Sequence, residues 1–301
     1  MTLPLNDLYR ILGLSKQSVH QYQKRQQMFD MQFANLLVEV AELRAQHPGC
    51  GVEKMYHTLK PDFIGRDRLT EALMQLGYRV KRIKNYHRTT IPAWFKYPNL
   101  IEGLVVRKKN VVWQSDITYY ELKGRFYYLV FIIDVFTRQV VGYAVSDHLR
   151  AQANLRALKM ALTHHGAPRI HHSDRGSQYI DKTYTQLLAS HDVHISMGLQ
   201  AQDNAYAERI NGTIKNEYLE YWDINTFAQL KERVNKTVQH YNGKRIHDSL
   251  PGKTTPNNFN QSIDKCQMVE EIYAPTRITP KEKLGDWCDE TMKNDLISNI
   301  L

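Results

Sequence analysis

Three acidic residues stand where a carboxylate could do chemistry. Asp116 sits in Trp113-Gln114-Ser115-Asp116-Ile117-Thr118-Tyr119-Tyr120, and Asp174 in His171-His172-Ser173-Asp174-Arg175-Gly176-Ser177-Gln178-Tyr179. Glu208 sits in Asp203-Asn204-Ala205-Tyr206-Ala207-Glu208, a run that continues through Asn211 and Lys215 to Glu217. An Asp among strand-forming residues is costly to bury unless it is paired, hydrogen-bonded or bound to a cation. Asp174 follows a short strand and precedes a glycine turn, where open sheets place ligand groups. At about 100° per residue, Asn204, Glu208, Asn211 and Lys215 share one helical stripe, beside an apolar stripe of Ala207, Ile210, Ile214, Tyr218 and Tyr221. Such a helix packs by its apolar side, presents Glu208 at the sheet edge and places Lys215 to meet a phosphate. If the three carboxylates converge, they form a hard oxygen set that suits Mg²⁺ or Mn²⁺ over zinc. Two such ions about 4 Å apart serve an in-line displacement at phosphorus. Taken singly, each Asp reads better as a structural turn or cap residue than as a ligand, and an ordinary amphipathic surface helix would show a similar polar stripe. The pairs His164-His165 and His171-His172 lack the HExxH spacing of a zinc helix and read as polar or core residues.

To bring these residues together, the chain must supply a sheet and helices in the right order. Val111 to Tyr120, Phe126 to Asp134 and Gln139 to Val145 are β-branched and aromatic runs with tight connections, which predicts three antiparallel strands. By the period-two rule Val112, Gln114, Asp116 and Thr118 share one face of the first strand. A helix over Ala151 to His165, a strand over Arg169 to His172, a helix over Thr183 to Ser190 and a strand over Val193 to Met197 follow. Helices over Asn204 to Tyr221 and Thr226 to Tyr241 complete the order β-β-β-α-β-α-β-α. That order predicts an α/β, ribonuclease-H-like domain: a mixed five-stranded sheet flanked by helices.

Upstream, the texture is all helical. Leu5, Leu8 and Leu12 recur at helical spacing, Gly13-Leu14 breaks the pattern, and Ser15 is a candidate N-cap for a short second helix. This predicts a helix-turn-helix whose second helix exposes Lys16, Gln17, Gln21 and Lys24 to a major groove. A longer helix carrying Leu36, Leu37, Val40 and Leu43, one carrying Val52, Met55 and Leu59, and one carrying Leu69, Leu73 and Leu76 form a second candidate, with Arg66 and Arg68 outward. Arg79, Lys81, Arg82, Lys84 and Arg88 then make a basic arm suited to a phosphate backbone, or equally a flexible linker.

The net charge of +9 is concentrated there: residues 1–110 hold 18 Lys and Arg against 9 Asp and Glu, and the remainder 22 against 22. A basic segment ahead of a neutral domain predicts nucleic-acid binding separate from the chemistry. No apolar run approaches the ~20 residues that span a bilayer, and no signal peptide is evident. Three widely spaced cysteines, Cys50, Cys266 and Cys288, fit neither a disulfide framework nor a zinc site and suit a reducing cytosol.

These motifs together resemble the OrfB-type transposases of the insertion sequence 3 family, whose core is similar to that of retroviral integrases. Arg10-Ile11-Leu12-Gly13-Leu14-Ser15 resembles the family's opening helix-turn-helix, and Gly65 to Arg82 its second. The segments around Asp116, Asp174 and Glu208 resemble its three acidic motifs, and Tyr241-Asn242-Gly243-Lys244-Arg245-Ile246-His247 its closing segment. The resemblance implies a DNA transposase in which Asp116, Asp174 and Glu208 are catalytic and bind two Mg²⁺ (or Mn²⁺) ions. It implies cleavage at element ends by water, then attack of the freed 3′-hydroxyl on another phosphodiester, by way of a circular intermediate. Lys215, Asn211, Lys244 and Arg245 are expected to contact DNA along with the N-terminal residues named above. The implied partners are double-stranded terminal repeats, target DNA and further copies of the chain, in the bacterial cytoplasm at the nucleoid, with no membrane.

The expected organisation is a first helix-turn-helix over 1–28, a second with the basic arm over 29–90, a linker over 91–108, an integrase-like core over 109–222, a helical part over 223–260 and an unassigned acidic tail over 261–301. Two departures stand out. Only 33 residues separate Asp174 from Glu208, where the family has thirty-five, with the loss around Gly198 to Gln202; Cys50 stands where a Tyr is usual. A ribonuclease-H-like nuclease that cuts without joining, a non-catalytic DNA-binding regulator and a helical adaptor are the competing classes.

Overall fold

The computed structural model describes residues 9, 11, 13–80, 97–198, 201–265 and 276–277, and the chain divides into two compact units, 1–81 and 82–301. The first unit is helical. Ser15 caps α1 (Lys16–Gln46) by accepting from Ser18 N at 3.0 Å. The short helix expected after Ser15 and the longer one carrying Leu36 to Leu43 are in fact one helix of 31 residues, since nothing between Lys16 and Gln46 is Gly or Pro. The helix expected on Leu5, Leu8 and Leu12 lies outside the described residues. After His47-Pro48 come α2 (Val52–Leu59), ending at a left-handed Lys60 before Pro61, and α3 (Arg66–Gln75), ending at Gly77 with φ +84°. Leu36, Val40, Met55, Leu69 and Leu73 form the core of this unit. Lys16, Gln17, Gln21, Lys24, Arg66, Arg68 and Arg79 are exposed, while Lys81, Arg82, Lys84 and Arg88 lie outside the described residues.

The second unit opens with β1 (Val105–Val106). An antiparallel meander follows, β2 (Val112–Leu122), β3 (Arg125–Asp134) and β4 (Val140–Ser146). Next come α4 (Ala151–His165), β5 (Ile170–Ser173), α5 (Lys182–Ala189), β6 (His194–Met197), α6 (Ala205–Glu217), α7 (Phe227–Gly243) and α8 (Pro256–Lys265). In the stretch that sequence left unassigned, β7 (Thr276–Arg277) pairs antiparallel with β1. The sheet order β4-β3-β2-β5-β6, with β5 parallel to β2 and β6 parallel to β5, is the mixed five-stranded sheet predicted from the element order.

Alternation along β3 explains the layers. Leu129, Phe131 and Ile133 face Ala207, Ile210 and Ile214 of α6 and Leu230 and Val234 of α7. Val130 and Ile132 face the other way, toward Ala157, Leu158 and Ala161 of α4 and Leu188 of α5. Asp134 fixes the turn after β3. Its Oδ1 accepts from Phe136 N, Thr137 N and Thr137 Oγ1, and its Oδ2 from Asn110 N at 2.7 Å. Among the described residues no helix is long and apolar enough to cross a membrane.

The approach of α4 to β4 depends on one glycine. A Cβ on Gly142 would lie 2.3 Å from Ala157 O and 2.9 Å from Ala161 Cβ, so both backbones would have to separate. Gly142→Ala is therefore expected to destabilise the fold by about 2 kcal/mol through overpacking. Thermal unfolding followed by circular dichroism checks this; an unchanged midpoint would show that α4 can move away at no cost.

Candidate active site

Because β2 and β5 run parallel with Ser115 paired to Ser173, Asp116 and Asp174 each follow the same rung of the ladder. Asp116 is half-buried. Its Oδ1 accepts from Ile117 N at 2.9 Å and its Oδ2 from Asn211 Nδ2 at 2.8 Å. Burial, then the charge of Asp174 and less strongly that of Glu208, push its carboxyl up to about 8 in spite of those two bonds. Asp174, just beyond β5, accepts from Gly176 N at 3.0 Å, and burial raises it as well. Glycine at 176 leaves the room for this turn: a Cβ there would stand 3.0 Å from both Asp174 Oδ1 and Gln178 Oε1. Glu208 is exposed in the first turn of α6, where partial desolvation and the charge of Asp174 raise its carboxyl. The carboxylates thus feel one another. Among the described residues, however, no group of three His, Cys, Asp or Glu side chains is gathered tightly enough to hold a metal ion.

The helix carrying Glu208 follows the predicted pattern in part. Ala207, Ile210, Ile214 and Tyr218 are buried, as the apolar stripe requires. The helix ends at Tyr218 rather than Tyr221, where φ −131° and ψ −71° break it and a short 3₁₀ turn, Leu219–Tyr221, follows. The stripe of Asn204, Glu208, Asn211 and Lys215 does not face solvent throughout. Asn204 and Asn211 are only 2% and 6% exposed, because their amides are bonded to β2: Asn204 Nδ2 donates to Ser115 O at 2.9 Å, and Asn211 to Asp116. Asn211, expected at DNA, is turned inward onto a carboxylate.

Arg245, also expected at DNA, is buried and bidentate to Glu217, with both N···O distances 2.8 Å. Lys244 is exposed. Lys215 is half-buried with Nζ 5.1 Å from the centre of the Tyr119 ring, and burial lowers its ammonium. A groove of 680 Å³ runs along α6, lined in part by Glu208, Arg209, Gly212, Thr213 and Asn216. His171 and His172 are core residues, as their spacing suggested. They pair with Tyr184 Oη at 2.9 Å and Ser196 Oγ at 2.8 Å, and burial pushes them down to about 4 and about 3.

One contact at this site had no sequence signal beyond a cation next to an apolar run. Arg138, in the turn after β3, lays its guanidinium over the Tyr206 ring at 4.2 Å, bracing the first turn of α6 from the side.

Residues 106–201 match the family model described as Integrase core domain, and residues 191–256 match a second of the same description. The transposase for insertion sequence element IS629 of Shigella sonnei is 35% identical over 218 residues, covering 70% of this chain and 73% of that protein. The insertion element IS600 uncharacterized 31 kDa protein of the same organism is 30% identical over 239 residues, covering 75% and 86%. The chain belongs to the insertion-sequence transposases. It is a DDE-type enzyme of the insertion sequence 3 kind, with an integrase-like core. Among solved structures, the HTLV-2 integrase catalytic core domain in complex with magnesium aligns at 22% identity and a TM-score of 0.43, over 52% of this chain and 99% of that one.

The raised Asp116 carboxyl has a measurable consequence. Between its ordinary value of 3.8 and about 8 it binds more proton in the folded than in the unfolded chain, so it erodes stability as pH rises through that window. In chelator, Asp116→Asn should melt above the parent at about pH 9, with the advantage gone by about pH 4. With the Asn211 amide turned over, its Oδ1, which has no hydrogen-bond partner among the described residues, can accept from the new amide. A variant that melts below the parent at both ends would show that the carboxylate is not held at a cost.

Proposed function

We propose that this transposase cuts phosphodiesters at the ends of an insertion element and joins the freed 3′-hydroxyl to another strand, with Asp116, Asp174 and Glu208 as its metal-binding catalytic residues. The observation that carries the proposal is the Asp116 carboxyl, pushed up to about 8 by burial and by two neighbouring carboxylates. Surplus negative charge on hard oxygen donors fits Mg²⁺ or Mn²⁺ in charge and donor type, although the three groups are not drawn into one ligand set. Two such ions held there supply Lewis acidity to an in-line displacement at phosphorus. Asn211 orients Asp116 by holding its Oδ2. Lys215, two turns beyond Glu208 on the same helix, offers a cation to a phosphate lying in the groove along α6.

DNA recognition falls to the exposed Lys16, Gln17, Gln21, Lys24, Arg66, Arg68 and Arg79 of the first unit, helped by Lys244 in the second. Two element ends must meet, which calls for a dimer or larger assembly acting on nucleoid DNA.

Oligonucleotide duplexes carrying the element ends test this. The parent is expected to nick and join them only with Mg²⁺ or Mn²⁺, and Glu208→Gln to lose both steps while binding the duplex with unchanged affinity and salt dependence. Joining retained by Glu208→Gln would remove that residue from the site. Nicking without joining by the parent would select a nuclease instead.

A further inference from the structure

We infer that Gln114 is a positioning residue whose side-chain amide clasps the start of α6 to β2 and thereby sets where Glu208 stands relative to Asp116. Gln114 is fully buried, so its amide must find partners within the protein. Its Nε2 donates to Asp203 O at 3.1 Å, and its Oε1 accepts from Tyr206 N at 3.0 Å and Ala207 N at 3.3 Å. These are first-turn amides of α6, which a capping side chain from the helix's own N-cap residue ordinarily satisfies. Here the N-cap residue is Asn204, and it makes no such bond: its Nδ2 donates to Ser115 O, which turns the side chain onto β2, and its Oδ1 accepts from no first-turn amide. The cap is supplied instead by another element. Both groups that hold the N-terminus, Gln114 and the Ser115 carbonyl, belong to the strand that carries Asp116.

The register follows from the geometry of strand and helix. Gln114 and Asp116 are two residues apart on β2 and so share its face. Tyr206 and Ala207 immediately precede Glu208, and one turn later Asn211 bonds Asp116 itself. Three bonds from one amide and one from Asn211 therefore fix α6 against β2 on both sides of Glu208. A side chain that only filled volume would need none of these polar contacts; Met would serve.

The inference rests on Glu208 belonging to the active site, and the test separates the two. In the full chain, Gln114→Met and Gln114→Glu are compared with the parent by residue-resolved amide hydrogen exchange, single-turnover cleavage and duplex affinity. In Gln114→Met, exchange at Tyr206 and Ala207 is expected to quicken by about tenfold or more, with β2 and β3 amides unchanged. Cleavage should fall by at least about tenfold with duplex affinity unaltered. Gln114→Glu keeps an oxygen for the two amides and should restore their protection. Parent-like exchange at Tyr206 and Ala207, parent-like cleavage despite faster exchange, or protection lost across the whole sheet in both variants would each overturn the inference. If the parent itself fails to cleave, the proposed function falls, while the exchange data still decide whether the clasp exists.

Discussion

Carboxylates repel one another, and a fold that collects them must hold their backbones in place against that repulsion. Here burial first, and then the charges of Asp174 and Glu208, raise Asp116, and burial followed by the charge of Asp174 raises Glu208. The work of holding them falls to the middle of the sheet. The β2 and β5 strands are both internal, bonded to neighbours on each side, so neither can shift its register without breaking two ladders. Asp116, within β2, and Asp174, just past the end of β5, thereby stand beside each other as a matter of topology. The third comes from a helix, and a helix can slide or tilt unless something stops it.

The composition of α6 shows why the helix needs outside support. Asn211-Gly212-Thr213 in its middle are poor helix formers, Gly212 alone costing about 1 kcal/mol relative to Ala. Its first turn is satisfied from β2 and braced by Arg138 on Tyr206. Its last turn is tied by Glu217 to Arg245, beyond the end of α7. Burial works against the Arg245 guanidinium, and the bidentate Glu217 more than offsets it, so the pair persists as ions. Losing either partner would strand a buried charge, which makes the pair a rigid tie whatever it adds to stability. The helix is thus defined less by its own propensity than by what grips its two ends.

Most of this frame could be read from the sequence, and the failures share a cause. The strands of the meander, the later βα units and the apolar stripe of α6 follow from periodicity, because a residue's burial is set by its phase in its own element. The helix-turn-helix motif implies two helices after Ser15, but no residue between Lys16 and Gln46 breaks a helix, and the two are one. Asn211 and Arg245 were assigned to DNA because polar and charged residues are read as surface by default. Only the coordinates show that Asp116 and Glu217 claim them. Gln114 was placed on the correct face, yet nothing in one strand says which helix its amide will meet. Contacts between elements distant in the chain leave no periodic trace.

The charge distribution gives the site its dependence on the rest of the chain. A cluster that already carries surplus negative charge repels a phosphodiester, so it cannot supply affinity for the polyanion it acts on. Attraction has to come from cations placed elsewhere and from whatever neutralises the cluster when the chemistry proceeds. Residues 1–81 hold 11 Lys and Arg against 8 Asp and Glu, and the excess is densest over 82–110, where 7 Lys and Arg stand against one acid, well ahead of the carboxylates at 116, 174 and 208. Within residues 1–81, the cations at 16, 24, 66 and 68 stand exposed on helices with their own packed core. Attracting a phosphate and gathering carboxylates place opposite electrostatic demands on a surface, and the exposed cations at 16, 24, 66 and 68 lie far in sequence from the acids at 116, 174 and 208.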